Sequence, residues 1–360
     1  MSSTDQSDGL TEIVRDSRLP ATFRCDGQQS YTIHSRPTVH WSRPNQEVWK
    51  HERDLVRGGF GLVELQSIET EPGRIQYRAV KSIDIADHQS KTKRSLYMRE
   101  LEALVKFSHE KYDGFFIKFK GWYDSPGHIH IAMEYCELGD LQNYLYNSPN
   151  QRLPEGEIQE IAHQVLAALS QMHDEGFAHR DLKPAVGVHR PRNDIEPRSD
   201  IQTQNILIKS HPPKQWWVKV CDLGLSKRIG TITGTSSVAG TEAFMAPEML
   251  NFNGDPKAAN PYLSDMWSFG ETISRALTGR PTFDSFAVLG KYCSGQTGFP
   301  TSALQHVKVS EDGIEFLGLV MLFDPRKRLN ALNAKKHRWM GEKEQHVIRI
   351  TQNSKDTGKW

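Results

Sequence analysis

Five polar side chains stand in an order that suits one kind of chemistry: Lys81, Glu100, Asp181, Asn205 and Asp222. Moving a phosphoryl group asks little covalent work of a protein. It asks that phosphates be held, metal ions placed and a hydroxyl aimed. Gly58, Gly59 and Gly61 lie between two strand-like runs, where bare backbone lets N–H groups approach phosphates. Ala79-Val80-Lys81 puts an ammonium on the next strand, and Glu100, in the helical run that follows, is placed to pair with it. Asp181 is the candidate acceptor for a substrate hydroxyl proton, and Lys183 would neutralise charge on the transferring group. Asn205 and Asp222 offer the hard oxygens that Mg2+ takes. Each signal alone is weak. A glycine-rich hairpin is usually a turn, a lone strand lysine is usually solvated, and a helical glutamate is ordinary. Their order along one chain carries the argument.

Those residues need a scaffold. His51–Glu64 reads as strand broken by the glycines, and Tyr77–Ile83 as another strand. A helical pattern runs from about Lys91 to Phe107 through Leu96, Leu101, Leu104 and Val105. Phe115–Tyr123 and His128–Tyr135 read as a strand pair around Ser125-Pro126-Gly127. Beyond Gly139 the texture turns helical. Ile158, Ile161, Val165, Leu166, Leu169 and Met172 recur at spacings of three and four, which makes a core-facing stripe. Ser264–Leu277 reads as a second helix with Ser264 as its cap. The alternation near Tyr31–Val39 suits one or two short strands or a loosely held arm.

The bulk numbers exclude several classes. Of 360 residues, 45 are Lys or Arg and 44 are Asp or Glu, a balance that leaves no basic stripe for nucleic acid and no polybasic membrane anchor. No apolar run approaches the ~18 residues a membrane span needs, and the polar N-terminus has no signal-peptide pattern. Cys25, Cys136, Cys221 and Cys293 are far apart, which suits a reducing compartment better than a disulfide framework or a zinc site. An intracellular protein, cytoplasmic or nuclear, is expected.

His179-Arg180-Asp181-Leu182-Lys183-Pro184, then Gln204-Asn205, then Asp222-Leu223-Gly224, Ala246-Pro247-Glu248, Asp265-Met266-Trp267-Ser268-Phe269-Gly270 and Asp324-Pro325-Arg326-Lys327-Arg328 follow one another in order. With the glycine run and Lys81, they resemble the eukaryotic protein kinase family over roughly residues 50 to 340. Lys183-Pro184 and Thr241 resemble its serine/threonine branch. The resemblance implies an α+β, two-lobed protein-kinase-like fold. A small lobe of antiparallel sheet plus one helix would span 51–135, and a larger, mainly helical lobe 137–341. Residues 1–49 would be a partly disordered extension and 342–360 a tail.

The resemblance also implies Mg2+-dependent transfer from ATP to a protein substrate, with the nucleotide in the cleft between lobes. Lys81, Glu100, Asp181 and Lys183 would serve catalysis, and Asn205 and Asp222 would hold metal. Gly58, Gly59, Gly61, Val63, Ala79, Lys81, Glu134, Cys136, Asp140 and Leu207 would contact nucleotide, with Met133 as gatekeeper and Asp140 at the ribose. Arg328 would pair with Glu248. An upstream kinase is expected to act on Ser237, or on nearby Thr235 or Ser236, with Arg180 receiving the phosphate.

Three departures stand out. Leu223 replaces the usual Phe after Asp222, an apolar exchange. Val56 stands where the first glycine of the nucleotide loop is expected. Most consequential, residues 185–203 interrupt the catalytic loop between Pro184 and Gln204-Asn205. They hold two prolines, no aromatic residue and seven charged or histidine side chains, which is loop composition. Lengthening the closed loop from about five to about twenty-four residues costs only roughly 1–2 kcal/mol. Geometry is the stricter test, because an error of ~1 Å at a reacting centre can cost ~100-fold in rate. The interruption is either a surface bulge that leaves its ends in place or translated non-coding sequence, a retained intron or gene-model error, which is favoured because deleting 185–203 restores Lys183-Pro184-Gln204-Asn205 without a gap. If the interruption abolishes activity, the chain would be a pseudokinase scaffold.

Overall fold

The computed structural model describes residues 12–36, 45–58, 61–85, 101–180, 182, 205–223, 245–250, 252 and 260–341. The chain divides into two compact units, with the main passage between them at Tyr135–Cys136.

The first unit is an antiparallel sheet of seven strands: β1 (Thr22–Asp26), β2 (Gln29–Arg36), β3 (Asn45–Gly58), β4 (Gly61–Glu71), β5 (Arg74–Asp84), β6 (Phe119–Ser125) and β7 (His128–Glu134). Their order is β1-β2-β3-β4-β5-β7-β6. The sheet therefore begins before residue 51, the expected start. The polar alternation near Tyr31 is a paired strand, joined to β1 by a tight turn in which Gly27 takes φ 60°. Residues 12–36 form an arm that is part of the unit. Residues 101–107 are helical, and the rest of the expected helix, including Glu100, lies outside the described residues.

Strand alternation gives the sheet two faces. Register pairs Val63 with Lys81, Leu65 with Ala79, Ala79 with Met133 and Lys81 with Ile131, so these share one face. Gln66, Arg78, Val80, Ala132 and Tyr123 share the other. Arm residues Leu19 and Ala21 pack on Val80, Tyr123 and Ala132 of that second face. The arm is held by Leu19 N donating to Trp122 O at 2.7 Å, Trp122 N to Ser17 O at 3.2 Å and Trp122 Nε1 to Val14 O at 2.8 Å. Gly121, at φ 124°, makes room for it: a Cβ there would meet Leu19 at 2.7 Å.

The second unit is helical around Glu155–Asp174, on which Ile158, Ile161, Val165, Leu166, Leu169 and Met172 are all fully buried. Gln164 of this helix donates to Trp216 O at 2.8 Å and accepts from Val218 N at 3.0 Å. It thereby fixes the hairpin of β8 (Ile206–Ser210) and β9 (Trp217–Val220). The helix Pro261–Thr278 starts earlier than its apolar pattern suggested. Asn260 caps it by accepting from Tyr262 N, and Pro261 takes the first position, where no N–H is needed. Ser264, the expected cap, sits inside the helix and donates to Glu248 Oε1 at 3.0 Å.

Candidate active site

On the first unit, β4 and β5 set the candidate nucleotide residues by register. Gly58 and Gly61 are paired at the turn that joins β3 to β4. Val63, Ala79 and Lys81 share a face, and Lys81 is buried although charged. Glu134 closes β7: its amide donates to Lys118 O at 2.8 Å and its carboxylate accepts from Lys118 N at 3.2 Å. Gly59 and Glu100 lie outside the described residues.

On the second unit, Asp140 is buried as the cap of the helix Leu141–Asn147, accepting from Asn143 N at 2.9 Å and Asn143 Nδ2 at 3.0 Å. Burial pushes its carboxyl above the usual range, against the pull of the helix-end amides. Its backbone bridges to Leu207, and Ile208 N donates to Gly139 O at 2.9 Å. Cys136, Asp140 and Leu207 are thus held along one short stretch, with Cys136 O accepting from Gly139 N at 3.1 Å.

The centre of this unit's site is the backbone of Cys221, next to Asp222. Its carbonyl accepts from His179 Nε2 at 3.0 Å. Its amide donates to Asn205 O at 3.0 Å. His179 and Asn205 lie on opposite sides of the interruption in sequence, and both bond the residue before Asp222. A third tie comes from Asp265 on Pro261–Thr278. Its buried carboxylate accepts from His179 N and Arg180 N, both at 2.7 Å, and lies 3.0 Å from His173 Nε2. Two residues here take the left-handed region that disfavours side chains, Arg180 at φ 62° and Asp222 at φ 55°. Such strain persists only where surrounding bonds over-determine it, and the Asp265 and Cys221 bonds provide that constraint. Asn205 and Asp222 are brought together; Asp181 and Lys183 lie outside the described residues, as do Thr235, Ser236 and Ser237.

Farther off, Arg328 meets Glu248 through two bonds of 2.8 and 3.0 Å, both side chains fully buried, as the family resemblance implied. Arg328 also donates to Leu263 O and Leu322 O and lies 5.2 Å over Trp267. Sequence reasoning recognised Asp265 as part of a motif but not as the anchor of the His179–Arg180 turn. The motif was the available signal; the pairing across the chain was not.

A β-sheet unit with a buried strand lysine beside a glycine turn, followed by a helical unit that gathers the His179–Arg180 turn, Asn205 and Asp222, is the two-lobed α+β kinase architecture. A model described as the protein kinase domain matches residues 49–186 and 198–340, so the chain belongs to the protein kinase family. The stretch between the two matches falls inside the interruption. The serine/threonine-protein kinase RAD53 of Saccharomyces cerevisiae is 28% identical over 67% of this chain and 27% of its own length. Myosin light chain kinase A of Dictyostelium discoideum is 27% identical over 82% of this chain and 88% of its own length. Among solved structures, the Rad53 kinase domain and SCD2 in complex with AMPPNP aligns with a TM-score of 0.53 at 26% identity, covering 77% of this chain and 86% of that one. This chain thus spans about a quarter of RAD53.

Proposed function

We propose that this chain transfers the γ-phosphate of ATP to a serine or threonine hydroxyl of a protein substrate. The observation that carries the reading is the convergence of His179 and Asn205 on the backbone of Cys221, which sets these two residues, one on each side of the interruption, beside Asp222. Lys81, paired with Glu100, holds phosphate oxygens. Asp181 accepts the hydroxyl proton as the new P–O bond forms and the bond from the γ-phosphorus to the β,γ-bridging oxygen breaks, releasing ADP, while Lys183 counters the charge on the transferring group. Asn205 and Asp222, an amide and a carboxylate oxygen donor on neighbouring backbone, suit Mg2+. The metal, when bound, neutralises charge between the phosphates. Gly58, Gly59, Gly61, Val63 and Ala79 bound the nucleotide from the sheet side, and Cys136, Asp140 and Leu207 belong to the helical side. Phosphorylation of Ser237, Thr235 or Ser236 by an upstream kinase, with Arg180 as the phosphate's partner, is part of the same reading.

The second reading is a pseudokinase scaffold, favoured by residues 185–203 alone. One experiment separates the two: Mg2+-ATP phosphorylation of a generic basic protein by the chain and by D181N. Turnover that D181N abolishes supports the kinase. Nucleotide binding without turnover, unaltered by D181N, supports the scaffold.

A further inference from the structure

Lys81 has a counterpart on the opposite face of β5. Arg78 is 1% exposed, the most enclosed cation of the sheet among the described residues. Its Nε and Nη2 donate to Gln66 Oε1 of β4 at 2.9 and 2.6 Å. Nη2 also reaches His34 Nε2 of β2 at 3.0 Å. The guanidinium carbon lies 4.2 Å from the Trp49 ring of β3 and 5.8 Å from that of Tyr123 on β6. Among the described residues no carboxylate pairs with it directly; burial lowers its pKa to about 10, with Tyr123, Glu47 and Glu64 opposing at longer range.

The partners are themselves committed. Gln66 Nε2 donates to Thr32 Oγ1 at 3.3 Å and to Glu64. An arginine only donates, so His34 Nε2 accepts, and Nδ1 therefore carries the proton that bonds Pro20 O at 2.9 Å. One guanidinium thus ties β5 to β4, to β3 and to the arm.

A buried cation with neutral partners is a poor way to gain stability, because apolar side chains of similar size usually pack there at no loss. The kinase strand signature V-A-I-K carries valine at this position. What an arginine adds is geometry: a rigid planar fork with fixed donor directions. β3 and β4 carry the glycine turn on their ends, and β5 carries Lys81. A lock among these strands fixes the turn against the lysine.

We infer that Arg78 is a positioning residue: it holds Lys81 in register with the Gly58–Gly61 turn and makes that register depend on the docked N-terminal arm. The inference rests on the proposed nucleotide role of Lys81. Its test uses the full chain and R78M, with two readouts. One is affinity for Mg2+–AMPPNP together with the KM for ATP and kcat. The other is amide exchange along β4 and β5.

The expected result is a folded R78M whose nucleotide affinity falls and KM rises about tenfold, with kcat held within about twofold, because ground-state placement is what is lost. Amide exchange in β4 and β5 should quicken about tenfold while the helical unit is unchanged. R78K, which keeps the charge but not the fork, should behave like R78M. Unchanged affinity and unchanged exchange in R78M would overturn the inference. If the wild-type chain itself binds no nucleotide, the proposed function falls, and the exchange result alone decides whether the lock exists. Should R78M not fold, H34A, which removes one partner and leaves the Gln66 fork, carries both readouts.

Discussion

The amide of Cys221 donates to the carbonyl of Asn205 at 3.0 Å. That bond places the residue that resumes the broken loop directly against the residue preceding Asp222. With His179 on the Cys221 carbonyl, described residues on both sides of the interruption are bonded to the same backbone. Lengthening a closed loop by this much costs mainly closure entropy, roughly 1–2 kcal/mol. Deleting residues 185–203 should therefore yield a folded protein whose phosphorylation of a basic protein substrate stays within about tenfold of the intact chain. Activity in the shortened form only would mean that the insertion is an off-switch or translated non-coding sequence.

Replacing Asp222 by Asn removes the charged half of the proposed metal pair. The variant should fold, since the backbone bonds at Cys221 do not use that carboxylate. Turnover should drop by about 10²–10³-fold or more, with a raised Mg2+ requirement, as expected when a charge-stabilising group is lost. A magnesium titration of initial rates checks this.

The arm makes a stability prediction. A chain starting at residue 45 would uncover Val80, Tyr123 and Ala132, remove the partner of Trp122 Nε1 and leave Arg78 without His34. The loss should exceed about 3 kcal/mol, the sum expected from a few buried apolar side chains and one orphaned donor. Urea unfolding followed by tryptophan fluorescence reads it, and an unchanged midpoint would mean that the arm is dispensable.

Acid should loosen the sheet unit through His130. Burial lowers its pKa to about 4, with His128 adding and Asp124 opposing. Its ring stacks on Tyr123 at 4.8 Å and bonds Ser82 and Ser125, each at 2.8 Å. In the unfolded chain it takes its proton near 6.5. Protons therefore favour unfolding. This residue's contribution is complete above about pH 7 and is lost as pH falls from 6.5 toward 4. For a half-buried group that amounts to about 1–2 kcal/mol after allowance for solvent screening. Urea midpoints at pH 7.5 and 5 should differ less in H130N than in the native chain.

The Glu248–Arg328 pair makes the opposite case to an exposed ion pair. Removing one partner strands a charge in the core of the helical unit, so R328M should cost about 3–5 kcal/mol. The double variant R328M/E248L, which leaves no charge behind, should recover much of that loss. A double-mutant cycle from denaturant melts measures the difference.

The sequence by itself determined the order of the chemistry-bearing residues and the core stripe of Glu155–Asp174, because periodicity and motif spacing are local signals, while the Glu248–Arg328 pairing came from the family resemblance. It marked Asp140 for ribose without revealing that the carboxylate caps a helix. It placed the start of Pro261–Thr278 at Ser264, since a serine before an apolar run reads as a cap whether or not a better one precedes it. Only the tertiary structure decided that the N-terminal arm completes the sheet, that Arg78 lies buried on the face opposite Lys81, and that His179 and Asn205 both bond the backbone of Cys221. Each of these depends on contacts between residues far apart in the chain, where hydrogen-bond geometry and burial, rather than residue type and spacing, set the outcome.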